Sequence, residues 1–411
     1  MTAAGIRHEE MRSRNRALVI GAVRRSGQPS RTEIARLTGL SHSTISAIAA
    51  DLIEEGVMQE AAPQGAAAPV RRGRPQVAIG LNPAAASAMC LYLSFNNMSA
   101  VLVDYCGRVI ASKTRKLQTL SIGRDELVAA TIEIAGELAA QHGAFMRVVL
   151  AVQGITNAEG TELLWSPIVS HAHVPFGPLL EEAFGVPATV QNDCNMIAVA
   201  LRWHNPKLYR DNFVAILLSR GIGMGLVLDG KLFTGTRSSG GEFGHMVHRP
   251  GGALCRCGNR GCIEAYAGSY AIWRRAHGRD AAEKPVDDIE AEEMHQLAEL
   301  ARRQEGPARQ AFREAGEALG FGLGNLFTLI DPAPVAIIGQ GTAAFDILEP
   351  QIRRALAQTA GGQHAGTISF ETQPIARPFI QHGSAMTALT ALDKDLCTRL
   401  QSERMEKEQV A

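Results

Sequence analysis

The sequence predicts an α/β protein in three parts: a small helical head closed by two short strands, then two α/β lobes of one plan with a cleft between them. Three observations predict it. A length of 411 residues is long for one compact domain and suggests two or three. Apolar residues recur at helical spacing up to Gly56 and give way to strand-like runs from Met89. A strand meander followed by alternating helix and strand then occurs twice, the second time after Asp193.

In the head, Leu18, Ile20 and Val23 share the face of a helix over 15–26 that stops at Gly27. Pro29 and Ser30 open a second helix, Thr38-Gly39 turns, and Ser41 N-caps a third helix running to about residue 55. Ala35, Gly39 and Ile45 are the residues a helix-turn-helix needs: small at the crossing, tolerant of positive φ in the turn, β-branched in the core. This puts Ser41, His42, Ser43 and Thr44 at the start of a recognition helix, with Arg31 at the start of the helix before it. Residues 57–58 and 77–79 pair as wing strands around Arg71-Arg72-Gly73-Arg74-Pro75, a narrow basic tip suited to a minor groove. The charge agrees. Residues 1–80 carry 11 Arg and 7 acids, a net of +4, in a chain whose 41 basic and 41 acidic residues otherwise cancel.

The body opens with an apolar strand over 89–95, a hairpin turn at Asn96-Asn97 and a return over 99–104. A third strand over 108–113, a helix over 125–141 and a buried strand over 147–152 ending at Gln153-Gly154 complete the layout of an actin-like, ribonuclease-H-like lobe. The second set has a strand over 213–218, a glycine turn over 220–225, a return over 226–228 and a buried strand over 335–338 before Gly339-Gln340-Gly341. A cleft between such lobes is a usual place for a small ligand.

The strongest chemical signal is Gly-Glu-Phe-Gly-His over 241–245, followed by Cys255, Cys257 and Cys262. Seven cysteines cannot form a full disulfide set, and three in eight residues read as metal binding. With His245 they make a closed Cys3His set for structural Zn2+, which leaves no open position for catalysis. The imidazole has two nitrogens, so His245 can hold the metal with one and face a ligand with the other.

These residues, with Val190-Gln191-Asn192-Asp193 and Glu264, closely resemble the signature of the ROK family of bacterial sugar-responsive repressors and sugar kinases, and the resemblance covers essentially the whole chain. The winged helix is a feature of the family's repressors, including those for glucose, N-acetylglucosamine and xylose, and not of its kinases. The resemblance implies that Asn192, Asp193, Glu242, His245 and Glu264 contact sugar hydroxyls, with Gly154 approaching the ligand by its backbone. It also implies a homodimer or tetramer, and regulation of some members by a phosphotransferase-system protein. The family's kinases use the aspartate matching Asp193 as the base on the attacked hydroxyl. They begin with an Asp-x-Gly-Gly-Thr hairpin around the phosphates. Here Tyr92-Leu93-Ser94-Phe95-Asn96 stands in its place, and backbone amides cannot approach a phosphate past Phe95.

The expected division is a DNA-binding domain over 1–82, a first lobe over 83–193 completed by a helix over 384–411, and a second lobe over 194–383 with the zinc site and dimerisation surface. The expected function is a sugar-responsive repressor of carbohydrate uptake or catabolism genes, not an enzyme, whose partners are operator DNA and a sugar or sugar phosphate. The alternatives are a sugar kinase with an added DNA-binding head and a sensor governed by a protein partner. No run approaches the roughly 20 apolar residues of a membrane span, and the N-terminus lacks an apolar signal core, so no membrane partner and a cytoplasmic location are expected.

Overall fold

The computed structural model describes residues 3–61, 77–238, 240–285, 289–363 and 368–410, without the side chains of 3–10 and 398–410. In the head, α1 (Ala3–Ser26), α2 (Arg31–Thr38) and α3 (His42–Glu54) precede an antiparallel pair, β1 (Met58–Ala61) and β2 (Ala78–Leu81). Ser30 and Glu33 form a reciprocal capping box that starts α2, and Gly39 at φ +73° ends it. Ser41 caps α3 through the Thr44 N–H. The buried face of α1 is Val19, Ile20 and Val23, while Leu18, expected on that face, is 45% exposed. Ala35 and Ile45 are buried as expected. The basic tip with Arg71, Arg72 and Arg74 lies outside the described residues.

The first lobe comprises β3 (Ser87–Ser94), β4 (Asn97–Asp104), β5 (Val109–Lys116), α4 (Arg124–His142), β6 (Val148–Val152), the small pair β7 (Ile155–Thr156) and β8 (Leu163–Trp165), α5 (Phe176–Phe184) and β9 (Ala188–Asn192). The hairpin turn is Phe95-Asn96, one residue earlier than expected, because Asn97 pairs with Ser94 and Asn96 takes the positive φ of 51°. After α6 (Asp193–His204), the second lobe comprises β10 (Phe213–Leu218), β11 (Ile222–Leu228), β12 (Lys231–Phe233), α7 (Glu264–Ala267), α8 (Ser269–Ala276), α9 (Ala291–Arg303), α10 (Pro307–Ile330), β13 (Val335–Ile338), α11 (Phe345–Leu356), α12 (Ala360–Gln363) and β14 (Phe370–Gln373). The long α13 (Arg377–Val410) closes the chain.

Both five-stranded sheets have one order, β5-β4-β3-β6-β9 and β12-β11-β10-β13-β14: an antiparallel meander with two parallel strands added beside its first member. The duplication is therefore real at the level of topology. The expected glycine turn over 220–225 is shorter than foreseen. Only Ser219–Gly221 turns, and Gly223 and Gly225 lie within β11. A Cβ on Gly223 would stand 2.3 Å from Cys194 Sγ, and one on Gly225 would stand 2.3 Å from the Cys194 carbonyl oxygen. These glycines seat α6 directly on the strand.

Helix α13 is continuous from Arg377, so the boundary expected at 383/384 falls inside it. It packs on α6, β3 and β6 and also meets α1. One hydrophobic cluster runs from Val19 and Ile45 in the head through Ile197 and Leu201 of α6 to Leu392 and Cys397 of α13. At this junction Arg24 of α1 pairs with Asp393 of α13, Nη2 to Oδ1 at 2.6 Å, both side chains nearly fully buried. No helix among the described residues is long and apolar enough to cross a membrane.

Candidate functional site

The ends of β3, β6 and β9 in one lobe face the β10–β11 turn, the Gly240–His245 segment and Glu264 of the other across a cavity of about 370 Å³. Gly154, Asn192, Asp193, Glu242, His245 and Glu264 all line it. They do not line it alike. Asn192 ends β9 and caps α6: its Oδ1 accepts the Cys194 and Asn195 N–H groups at 2.8 and 3.1 Å, and its Nδ2 donates to the Gly154 carbonyl at 2.9 Å. Its amide therefore fixes the floor and has one hydrogen left for the cleft. Gly154 is required where it stands, since a Cβ there would lie 2.3 Å from the Trp165 carbonyl oxygen.

Asp193, the first residue of α6, is 2% exposed. Its Oδ1 accepts the Cys194 N–H at 2.9 Å, while its Oδ2 is buried with no hydrogen-bond partner among the described residues. Burial pushes its carboxyl up from 3.8 to about 6, and the charge of Glu242 adds to the rise. A half-satisfied buried carboxylate is costly, and Asp193 stands in the wall of a cavity the size of a small polyol. Glu242 is also raised by burial, against the opposing pull of His245.

Glu264 is 6% exposed and mostly engaged. Its Oε2 accepts the Ile222 N–H at 3.0 Å, and its Oε1 lies 3.4 Å from the Tyr270 hydroxyl and 3.6 Å from Cys255 Sγ. It ties the β10–β11 turn to the cysteine loop. A Cβ on Gly221 would meet Glu264 Oε2 at 2.6 Å, so the turn's glycine permits that tie.

His245, Cys255, Cys257 and Cys262 bring one ligand atom each to within 4.8 Å of one another, a set able to hold a metal ion. Positive φ at Gly258 and Gly261 turns the chain back between the cysteines. His245 presents Nδ1 to Cys255 Sγ at 3.7 Å and Nε2 to Glu242 Oε2 at 3.8 Å. One imidazole thus joins the thiol cluster to the cleft.

Several lining residues carry no sequence signal of their own. Arg377 opens α13 at the cavity rim, and the Arg220 guanidinium lies 4.2 Å over the Phe95 ring. Both are isolated cations in sequence, and only the fold brings them to the cleft. In the head, His42 and Ser43 are exposed at the start of α3, Thr44 and Arg31 half-buried, and the Ser41 hydroxyl is spent on the cap, 2.8 Å from Thr44 Oγ1.

The sequence profile of the ROK family matches residues 94–393. The xylose repressor of Caldicellulosiruptor bescii is 25% identical over 365 residues, covering 85% of this chain and 89% of that protein. The DNA-binding transcriptional dual regulator NagC of Escherichia coli is 24% identical over 390 residues, 92% of each. Among solved structures, a ROK family transcriptional regulator described as a homolog of the E. coli MLC protein superposes with a TM-score of 0.77 at 25% identity, over 95% of this chain and 98% of that one. A ROK family glucokinase from Streptomyces griseus, solved with glucose and AMPPNP, gives 0.60 at 25% identity, over 74% of this chain and 99% of the kinase.

Proposed function

The chain belongs to the ROK family, and from that premise we propose that it is a sugar-responsive transcriptional repressor: the interlobe cleft senses a sugar or sugar derivative, and the head binds operator DNA as a winged helix-turn-helix. The observation that carries the sensing half is the open, buried acceptor of Asp193. A sugar hydroxyl donating to Oδ2 satisfies it, while Glu242 and the His245 Nε2 grip neighbouring hydroxyls from the second lobe. Closing the lobes on such a ligand moves α6, whose first residue is Asp193, against α13, and α13 meets α1 of the head. The recognition side chains are His42, Ser43 and Thr44, with Arg31 and the wing arginines Arg71, Arg72 and Arg74 on phosphates or the minor groove. A homodimer would set two such heads on a palindrome about one helical turn apart.

The four-ligand cluster fits Zn2+. Ligand atoms on a tetrahedron with metal–sulfur bonds of about 2.3 Å are spaced about 3.8 Å apart, and the Cys257–Cys262 sulfurs stand 3.8 Å apart. Bound there, the ion would supply folding energy to the loop and leave no open position for chemistry. The protein's own contribution is His245, held by Nδ1 so that Nε2 faces Glu242 and the cleft.

The repressor reading is favoured over a kinase by Phe95, a bulky residue stacked under Arg220 at the position where the family's kinases carry a phosphate-cradling glycine. A thermal-shift screen of sugars and sugar phosphates tests the reading. A ligand at 100 times its Kd adds about 2.7 kcal/mol, and the same ligand must change operator binding in a fluorescence titration. ATP-dependent phosphorylation of that sugar, abolished by Asp193→Asn, would overturn it in favour of a kinase.

A further inference from the structure

A second cavity, of about 850 Å³, opens where the head meets the body, between α1, α6 and α13. Among the described residues five cations line it, Arg25 from α1, Arg147 just before β6, Arg202 from α6, Arg210 beyond it and Lys394 from α13, against one carboxylate, Asp395. The carboxylates around it are already engaged. Asp395 takes Arg147 Nη2 at 2.6 Å, Asp211 lies 3.6 Å from Arg210 Nε, and Glu371 accepts the Tyr209 hydroxyl at 2.7 Å. Donors remain. Arg147 Nε is buried with no hydrogen-bond partner among the described residues. Arg25 and Arg202 have no carboxylate within ion-pair distance among those residues, and the Arg25 guanidinium is held 5.1 Å over the Trp203 ring. Burial and the neighbouring Arg25 charge push Arg202 down, against the opposing pull of Asp211.

Guanidinium groups gathered around one space with an unsatisfied donor suit a phosphate, whose oxygens accept paired N–H bonds. We propose that this junction cavity is a second ligand site, for a small phosphorylated anion, distinct from the interlobe cleft. Its occupant would touch Arg25 on the head and Arg147 and Arg202 on the body at once, and so fasten the two together. The far end of α6 forms one wall and its first residue lines the cleft, so the two sites share one helix.

The test uses the full chain and calorimetric titration with pyrophosphate and with inorganic phosphate. Both should bind the wild type, pyrophosphate more tightly. Arg25→Ala with Arg202→Ala should weaken pyrophosphate binding at least tenfold with an unchanged circular dichroism spectrum, while Arg377→Ala, which removes a cation from the cleft, retains it. The milder Arg202→Gln keeps the test open should the double variant fail to fold, and should weaken binding severalfold. Loss through Arg377→Ala instead would place the anion in the cleft and overturn the proposal, as would equal binding by all variants. Weaker DNA binding by the double variant in phosphate-free buffer, without loss of pyrophosphate binding, would make these arginines a DNA contact and also reject it.

Discussion

Replacing Asp393 with Ala should cost about 4 kcal/mol of stability, more than most single substitutions in a protein of this size. The carboxylate takes Arg24 in a two-point grip, Nη2 to Oδ1 at 2.6 Å and Nε to Oδ2 at 3.4 Å, and also accepts the Tyr105 hydroxyl at 2.6 Å. Side-chain exposure is 3% for Arg24 and 6% for Asp393, so water screens the pair little. Without Asp393 the guanidinium keeps the Tyr105 carbonyl and the Tyr105 ring, 4.7 Å away, and the Tyr105 hydroxyl loses its acceptor. An uncompensated buried charge costs about 3–5 kcal/mol, an orphaned hydroxyl about 1–3, and the two overlap because one change causes both. Arg24→Ala should cost a similar amount, and the double replacement little more than either. Arg24→Met with Asp393→Leu should recover much of the loss, since an apolar pair carries no desolvation penalty, but not the share that comes from the Tyr105 hydroxyl, which still lacks its acceptor. Urea unfolding read by two probes with coincident transitions measures each free energy. A loss below about 1 kcal/mol for Asp393→Ala, or a double variant costing the sum of the singles, would refute the reasoning.

Asp193→Asn should stabilise the ligand-free protein at neutral pH. A carboxyl raised from 3.8 to about 6 binds its proton more readily folded than unfolded, so wild-type stability falls as pH rises between those values. Above pH 7 the variant should lead by up to about 3 kcal/mol, and the gap should close at pH 4; urea denaturation at both pH values checks it. Cys257→Ala should lose bound zinc by atomic absorption and also weaken sugar binding by calorimetry, because His245 joins the two sites; folded, zinc-free protein with wild-type affinity would break that link. Arg72→Ala with Arg74→Ala should lower the log–log salt slope of DNA binding by roughly one unit per lost phosphate contact, whereas Ser43→Ala should alter sequence preference at nearly constant slope.

What the sequence disclosed follows from range. The Ser41 cap, the Gly39 turn and the strands over 213–218 and 335–338 depend on neighbours within a few residues, and their signals are local. Gly223 and Gly225 looked like a turn because glycines usually mark one. Their reason is the approach of Cys194 on another element, which no spacing within β11 expresses. Arg24 and Asp393 stand 369 positions apart in the chain, and neither is unusual alone. The cleft residues were legible as a set, but not their division of labour. That Asn192 spends its amide on the helix cap while Asp193 leaves an oxygen open depends on the angle at which α6 leaves β9.

The seating of α6 gives it the mechanics of a lever. Its first two turns rest on glycine backbone at Gly223 and Gly225, with only the small side chains of Cys194 and Ala198 between helix and strand, so that end is a fulcrum. Twelve residues make an arm of about 18 Å, and a tilt of about 5° about the seated end carries the free end through about 1.6 Å. That is more than the tolerance of a packed interface, where a gap of about 1 Å already forfeits much of the dispersion contact. Displacements at Asp193 too small to disturb the cleft are therefore geared up at Arg202 and Trp203, on the side of the molecule that faces the head.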